Sequence, residues 1–220
     1  PKHFDYMSLV LFDLDDTLLS ADTERAWAEH MLTLSLDIEE GFLDKLDLYT
    51  HQYRKGELDI NVYTSFLLKP ITGLHKDELK KPIEEFCKET YIKYEDKVTR
   101  SLLDDHVQDT CLLVSGTLSF LVEEMSSIMQ LEHSFGTEAE LVKGVFTGKR
   151  TGAPNFSEQK VLNVKRWLSS QQDKFDQIYA YSDSIYDLPM LEFADNPVAV
   201  CPDKHLRNIA LERNWKIIDR

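Results

Sequence analysis

The chain has 220 residues with 39 acidic and 25 basic side chains, a net charge of −14 that repels a nucleic-acid backbone where no local basic patch overrides it, and the sequence holds no such patch. Its three cysteines, Cys87, Cys111 and Cys201, are widely spaced and form no CxxC or Cys/His cluster, so neither disulfides nor zinc is expected and reduced thiols in a cytoplasmic protein are the simplest reading. No apolar run is long enough to span a bilayer and the N-terminus lacks the basic and apolar regions of a signal peptide, so a membrane is not an expected partner.

Leu9-Val10-Leu11-Phe12 is a short continuous apolar run ending in acidic residues, the pattern of a parallel strand buried on both faces. From about Asp22 to Asp105 the periodicity is helical, with almost no strand signal, and includes Tyr49, Tyr53, Tyr63, Phe66, Leu67 and Leu68. Cys111-Leu112-Leu113-Val114 reads as a second strand that stops at a turn, Ser115-Gly116-Thr117, before a helix over Leu118 to Met129. Gly144 to Gly152 reads as a small hairpin or flap, and residues 157 to 171 as a helix with Val161, Leu162, Val164, Trp167 and Leu168 on its apolar stripe. Further strands are expected at 177–181, 197–200 and 215–218. Strands alternating with helices predict an α/β fold, a Rossmann-like parallel sheet with right-handed crossovers. The helical stretch inserts after the first strand, which divides the chain into a core of residues 1–20 and 106–220 and an all-helical cap of residues 21–105 placed as a lid over the strand ends.

In a parallel α/β sheet, ligands bind beyond the carboxyl ends of the strands, and the polar clusters at 13–17, 115–117 and 182–187 all fall there. Asp13 and Asp15 are two apart on extended chain, so they share one face while Leu14 points away. Two carboxylates that close repel each other, and a divalent cation with a preference for oxygen ligands, such as Mg2+, relieves the repulsion. Asp183 and Asp187 add two more carboxylates; either Asp183 or Ser184 also fits as the N-cap of a helix beginning near Ile185. Ser115-Gly116-Thr117 suits the holding of phosphate oxygens, although Ser and Thr cap ordinary helices as often. Lys160 near a helix start reads alone as a solvated lysine.

Taken in order, Phe-Asp-Leu-Asp-Asp-Thr at 12–17, Val-Ser-Gly-Thr at 114–117, Lys160 and Tyr-Ser-Asp-Ser-Ile-Tyr-Asp-Leu-Pro-Met at 181–190 resemble the haloacid dehalogenase superfamily of phosphatases. The helical insertion after the first motif is similar to the cap of its phosphoserine-phosphatase-like branch, subfamily IB, and parts of the chain are similar to bacterial hydrolases described as phosphoserine or histidinol-phosphate phosphatases. The resemblance implies an Mg2+-dependent phosphomonoesterase acting on a small phosphorylated metabolite. Asp13 would be the nucleophile that forms an aspartyl-phosphate, and Asp15 the group that protonates the leaving oxygen and later deprotonates water. Mg2+ would be held by the carboxylates of Asp13 and Asp183 and the main-chain carbonyl of Asp15, with Asp187 supporting the metal site. Ser115 and Gly116 would bind the phosphoryl group, and Lys160 would neutralise it.

Asp22 aligns with an acidic position that meets the substrate's amino group in phosphoserine phosphatases, although Asp22-Thr23-Glu24-Arg25 also reads as a capped helix turn. Arg54 suits a substrate carboxylate. The chain departs from the pattern at Asp16, whose side chain is expected to point away from the metal, at Ile185 and Tyr186, where related chains often have a small residue or His followed by Asn, and at Leu118, where a polar side chain is often found. A phosphotransferase or mutase with the same nucleophile and a non-catalytic phosphometabolite-binding protein of the same fold are the alternatives; a dehalogenase is disfavoured because those relatives lack a counterpart of Asp15.

Overall fold

The structure is a computed structural model that describes residues 7–172 and 174–220; residues 1–6 of the expected core segment 1–20, and Asp173, lie outside the described residues. Six parallel strands form the central sheet in the order β3-β2-β1-β6-β7-β8, built from β1 (Leu9–Phe12), β2 (Thr110–Leu118), β3 (His133–Thr137), β6 (Ile178–Ser182), β7 (Asn196–Val200) and β8 (Lys216–Ile218). An antiparallel pair, β4 (Ala139–Val142) and β5 (Val145–Arg150), stands apart from it.

Alternation along β1 sorts the core onto the two faces of the sheet. Val10 and Phe12 join one cluster with Leu113, Tyr181 and Val198, packed under α6 (Ser119–Ile128) and the helices of the insertion. Leu9 and Leu11 join the other with Leu112, Val114, Ala180 and Ala199. That second face is covered by Val161 and Val164 of α7 (Glu158–Ser170), Met190 and Leu191 of α8 (Leu188–Phe193), and Leu206 and Ala210 of α9 (Lys204–Glu212).

Between β1 and β2 the chain is helical, as its periodicity predicts: α1 (Thr23–Met31), α2 (Phe42–Lys55), α3 (Ile60–Leu68), α4 (Lys76–Tyr94) and α5 (Lys97–Asp105). Local chemistry sets the helix starts. Asp22, Asp59 and Asp96 each accept backbone N–H groups at the first turns of α1, α3 and α5, and His75 with Glu78 closes a capping box on α4. Trp27 of α1, Phe86 of α4 and Phe120 of α6 meet edge to face, which joins the insertion to the core.

Two expectations change. Ser115-Gly116-Thr117 is not a turn: β2 stays extended through Leu118, because β3 runs alongside and Thr137 pairs with Leu118 after a shift in register. β3 itself is missed by hydropathy, since His-Ser-Phe-Gly-Thr has one large apolar residue. Its Gly136 is obligatory, as a Cβ there would sit 2.6 Å from Ser119 Cα and 2.8 Å from the Thr117 carbonyl oxygen. The hairpin begins earlier than residue 144, at Ala139, and its turn is Lys143-Gly144, both with positive φ as a tight antiparallel turn requires.

Candidate active site

The cavity of about 210 Å³ lies where the carboxyl ends of β1, β2 and β6 meet the insertion, and its walls include Asp13, Asp15, Ser115, Gly116, Lys160, Asp183 and Asp187. Seven residues assigned from sequence to one site are therefore brought together from four separate stretches of chain.

Asp13 follows β1 directly, its backbone N–H held by the Tyr181 carbonyl at 3.0 Å, so the strand pairing fixes where the carboxylate begins. Lys160 lies in the first turn of α7 and its Nζ donates at 2.8 Å to Asp13 Oδ1 and at 2.8 Å to Asp187 Oδ2. It is no solvated lysine: Lys160 is 3% exposed, Asp13 6% and Asp187 3%. Burial opposes the ammonium charge, but the ion pairs to Asp13 and Asp187 outweigh it and raise the lysine's pKa. Asp187 also accepts from the Ser182 hydroxyl at 2.7 Å. The helix near Ile185 is capped by Ser184, which accepts the Tyr186 N–H and leaves the Asp183 carboxylate to the cavity.

Asp13 and Asp183 share one donor. The Thr17 hydroxyl lies 3.3 Å from Asp13 Oδ2 and 3.1 Å from Asp183 Oδ1, and its single proton serves one of them at a time. Burial, followed by the charges of Asp13, Asp16 and Asp187, pushes the Asp183 carboxyl up to about 9. Burial likewise raises Asp13 to about 7, against the pull of Lys160. Carboxylates this costly to ionise fit a bound cation, and two carboxylates with water and carbonyl oxygens match the hard oxygen set that Mg2+ takes. Among the described residues no group of three or more His, Cys, Asp or Glu side chains is placed to hold a metal ion by itself.

Asp15 is locked by Thr23, which the sequence marks only as part of a helix turn, and by Thr117 of the Ser115-Gly116-Thr117 cluster. Thr23 donates to its Oδ1 from both backbone N–H and hydroxyl at 2.6 Å, and the Thr117 hydroxyl donates to Oδ2 at 2.6 Å. Burial and then the charge of Asp22 raise this carboxyl to about 6, partly offset by those threonine bonds. Asp16 occupies a left-handed position, φ 53°, which an aspartate tolerates better than a branched residue. Asp16 is exposed, is among the residues lining the cavity and adds negative charge near Asp183.

Asn155 is the second residue missed. It is 1% exposed, and its amide donates to the Ser115 carbonyl at 2.8 Å and the Phe135 carbonyl at 3.0 Å while its oxygen accepts from Asn163 at 2.8 Å. Thr137 adds a bond from its hydroxyl to the Gly116 carbonyl at 2.8 Å. The irregular end of β2 is thereby held in place by side chains from the β3 strand and the α7 approach. No local pattern in Pro-Asn-Phe announces this.

The insertion supplies the opposite wall. Tyr53 of α2 reaches Ser184 Oγ at 3.3 Å, and the Tyr186 hydroxyl donates to the Tyr53 carbonyl at 3.0 Å, with Phe156 completing an aromatic trio. Tyr186, a departure from the expected polar pattern, thus ties the core to α2, and Ile185 packs into the second core cluster. Asp22 opens onto the cavity while capping α1. Glu24 lines it too, accepts the Leu118 N–H at 3.1 Å, and is raised to about 8 by burial despite a hydrogen bond from Tyr63. Arg54 is exposed and does not line the cavity, although its charge reaches Asp16.

Residues 10–192 match the haloacid dehalogenase-like hydrolase family. The chain belongs to that family. It is 31% identical over 219 residues to the histidinol-phosphatase of Neisseria meningitidis, covering 96% of this chain and 98% of that protein. A phosphoserine phosphatase of Mycobacterium tuberculosis is 29% identical over 225 residues, covering 98% of this chain and 71% of the relative. Among solved structures, a protein of unknown function from Bordetella pertussis superposes with a TM-score of 0.86 at 31% identity, over 97% of this chain and 98% of that one. A substrate-bound phosphoserine phosphatase shares the fold, with a TM-score of 0.69 at 16% identity over 97% and 93% of the two chains. This haloacid dehalogenase-like hydrolase therefore has phosphatases among its relatives. No helix among its described residues is long and apolar enough to cross a membrane, and its three cysteines are free.

Proposed function

We propose that the chain is an Mg2+-dependent phosphomonoesterase that works through an aspartyl-phosphate on Asp13 and acts on a small cytoplasmic metabolite, with phosphoserine and histidinol phosphate as the candidates its relatives name. The observation that carries this reading is the buried Lys160, whose ammonium bridges Asp13 and Asp187 on the cavity wall.

In the first step an Asp13 carboxylate oxygen bonds to phosphorus as the ester P–O bond breaks, and Asp15, in its protonated form, gives its proton to the departing alkoxide. The three threonine donors hold the Asp15 carboxyl in one orientation for that transfer. In the second step water bonds to phosphorus, Asp15 takes its proton, and the bond between Asp13 and phosphorus breaks to release inorganic phosphate. Lys160, the Ser115 hydroxyl and the backbone of Gly116 would bind the phosphoryl oxygens in both steps, where preorganised donors act most strongly. Asp13, Asp183 and the Asp15 carbonyl would hold Mg2+, supported by Asp187, and the ion would neutralise charge on the transferring group. The experiment is Mg2+-dependent release of phosphate from p-nitrophenyl phosphate: Asp13→Asn is expected to lower turnover by about 10,000-fold, as loss of a covalent nucleophile does, and wild-type turnover in that variant refutes the assignment.

A further inference from the structure

The charges lining the cavity are unevenly divided. Among the described residues Lys160 is the only basic side chain on its walls, and it is already paired with Asp13 and Asp187 at the phosphate end. Asp15 and Asp183 belong to that end as well. On the side facing the insertion three further carboxyls remain, Asp16, Asp22 and Glu24, and none forms a side-chain ion pair among the described residues. Arg25, beside them in sequence, directs its guanidinium to Glu29 and Asp47. Arg54 stays outside the cavity. The same side carries the rings of Tyr49, Tyr53 and Tyr63, with Phe156 and Tyr186 across from Tyr53.

A substrate carboxylate entering this space would find no cation and would stand against Asp22 and Glu24. An ammonium or imidazolium would meet two carboxyls and several aromatic faces, each of which attracts positive charge. Glu24 is held at the end of β2 by the Leu118 N–H on its Oε1 and lines the cavity; burial raises its carboxyl to about 8, and a cation bound beside it would draw it into the ionised form.

We infer that the part of the substrate beyond the phosphate is cationic and carries no carboxylate, that is, a phosphate monoester of an amino alcohol, and that Glu24 together with Asp22 selects it. This rests on the phosphatase reading above. Of the two candidates it favours histidinol phosphate, whose ring suits the tyrosine wall, over phosphoserine, whose carboxylate has no receiver.

The test compares kcat/KM, with Mg2+, for histidinol phosphate, phosphoethanolamine, phosphoserine and p-nitrophenyl phosphate in the wild type, Glu24→Gln and Arg54→Ala. The expected result is a preference of at least about tenfold for the two carboxylate-free amines over phosphoserine. In Glu24→Gln, which retains an oxygen to accept the Leu118 N–H, the loss on the amines should come mainly through KM and exceed the loss on p-nitrophenyl phosphate at least about fivefold. Phosphoserine turned over as well as the amines, or a phosphoserine activity that Arg54→Ala removes, overturns the inference while leaving the phosphatase reading intact. Equal losses on all substrates in Glu24→Gln overturn the role of Glu24. Failure of the wild type on every phosphate, the aryl ester included, overturns the phosphatase reading and this inference with it.

Discussion

The two walls of the cavity are built on different principles. At the sheet end Asp13, Asp187 and Lys160 are buried, Asp15 and Asp183 half-buried, and the group is cross-bonded and set by the termini of β1, β6 and α7. On the insertion side, Tyr49, Tyr53, Tyr63 and Glu24 sit on helices α1, α2 and α3, and Tyr49 also packs into the core against Phe66. In the proposed function that difference separates reaction from selection: the cross-bonded charges would carry the chemistry, and the insertion wall would meet the rest of the substrate.

That contrast is broken most severely by Lys160→Met. The substitution removes both ion pairs and leaves Asp13 and Asp187 facing each other, so kcat should fall about 1,000-fold and stability by about 3 kcal/mol, read by steady-state kinetics and by urea unfolding. Asn155→Ala sharpens it, since this side chain touches no substrate yet holds the Ser115 segment. The loss of buried hydrogen bonds should cost about 2 kcal/mol and lower kcat/KM for every phosphate ester alike. A defect confined to one substrate would place Asn155 with the selecting wall instead.

Metal removal and pH test the charge account. Asp13 and Asp183 have folded pKa values of about 7 and about 9, above their ordinary 3.8. The folded chain therefore binds more protons than the unfolded one across that window, and the metal-free protein should lose stability as pH rises from about 4 to about 9. Mg2+ binding expels those protons, so it should raise Tm at pH 8.5 by about 5–10 °C at saturating metal and by clearly less at pH 5.5. Thermal denaturation in EDTA and in Mg2+ at the two pH values checks this; an equal shift at both would contradict it. The smallest effect is expected for Arg54→Ala: exposed and outside the cavity, it should change kcat/KM by less than about threefold.

How much was legible in the sequence follows the same division. β1, β6, β7, β8 and α7 announce themselves through continuous apolar runs or a helical stripe, and the strand ends then mark Asp13, Asp15, Ser115 and Asp183 by position alone. The helical insertion is equally plain from its periodicity. β3 is not, because its place is set by pairing with β2 and by the close approach at Gly136, neither of which hydropathy records. Thr23 and Asn155 were invisible for a related reason: each acts through a bond to a distant residue, Thr23 to Asp15 and Asn155 to Ser115 and Phe135. Glu24 reads in the sequence only as part of a helix start, because its bond from the Leu118 N–H joins residues 94 positions apart.

The account stands or falls on covalent phosphorylation of Asp13. Wild-type protein quenched in acid during Mg2+-dependent turnover, reduced with borohydride and mapped by mass spectrometry should carry homoserine at position 13, the product of reducing an acyl-phosphate there. Homoserine at another aspartate, or an unmodified Asp13 under conditions where turnover is brisk, would contradict it.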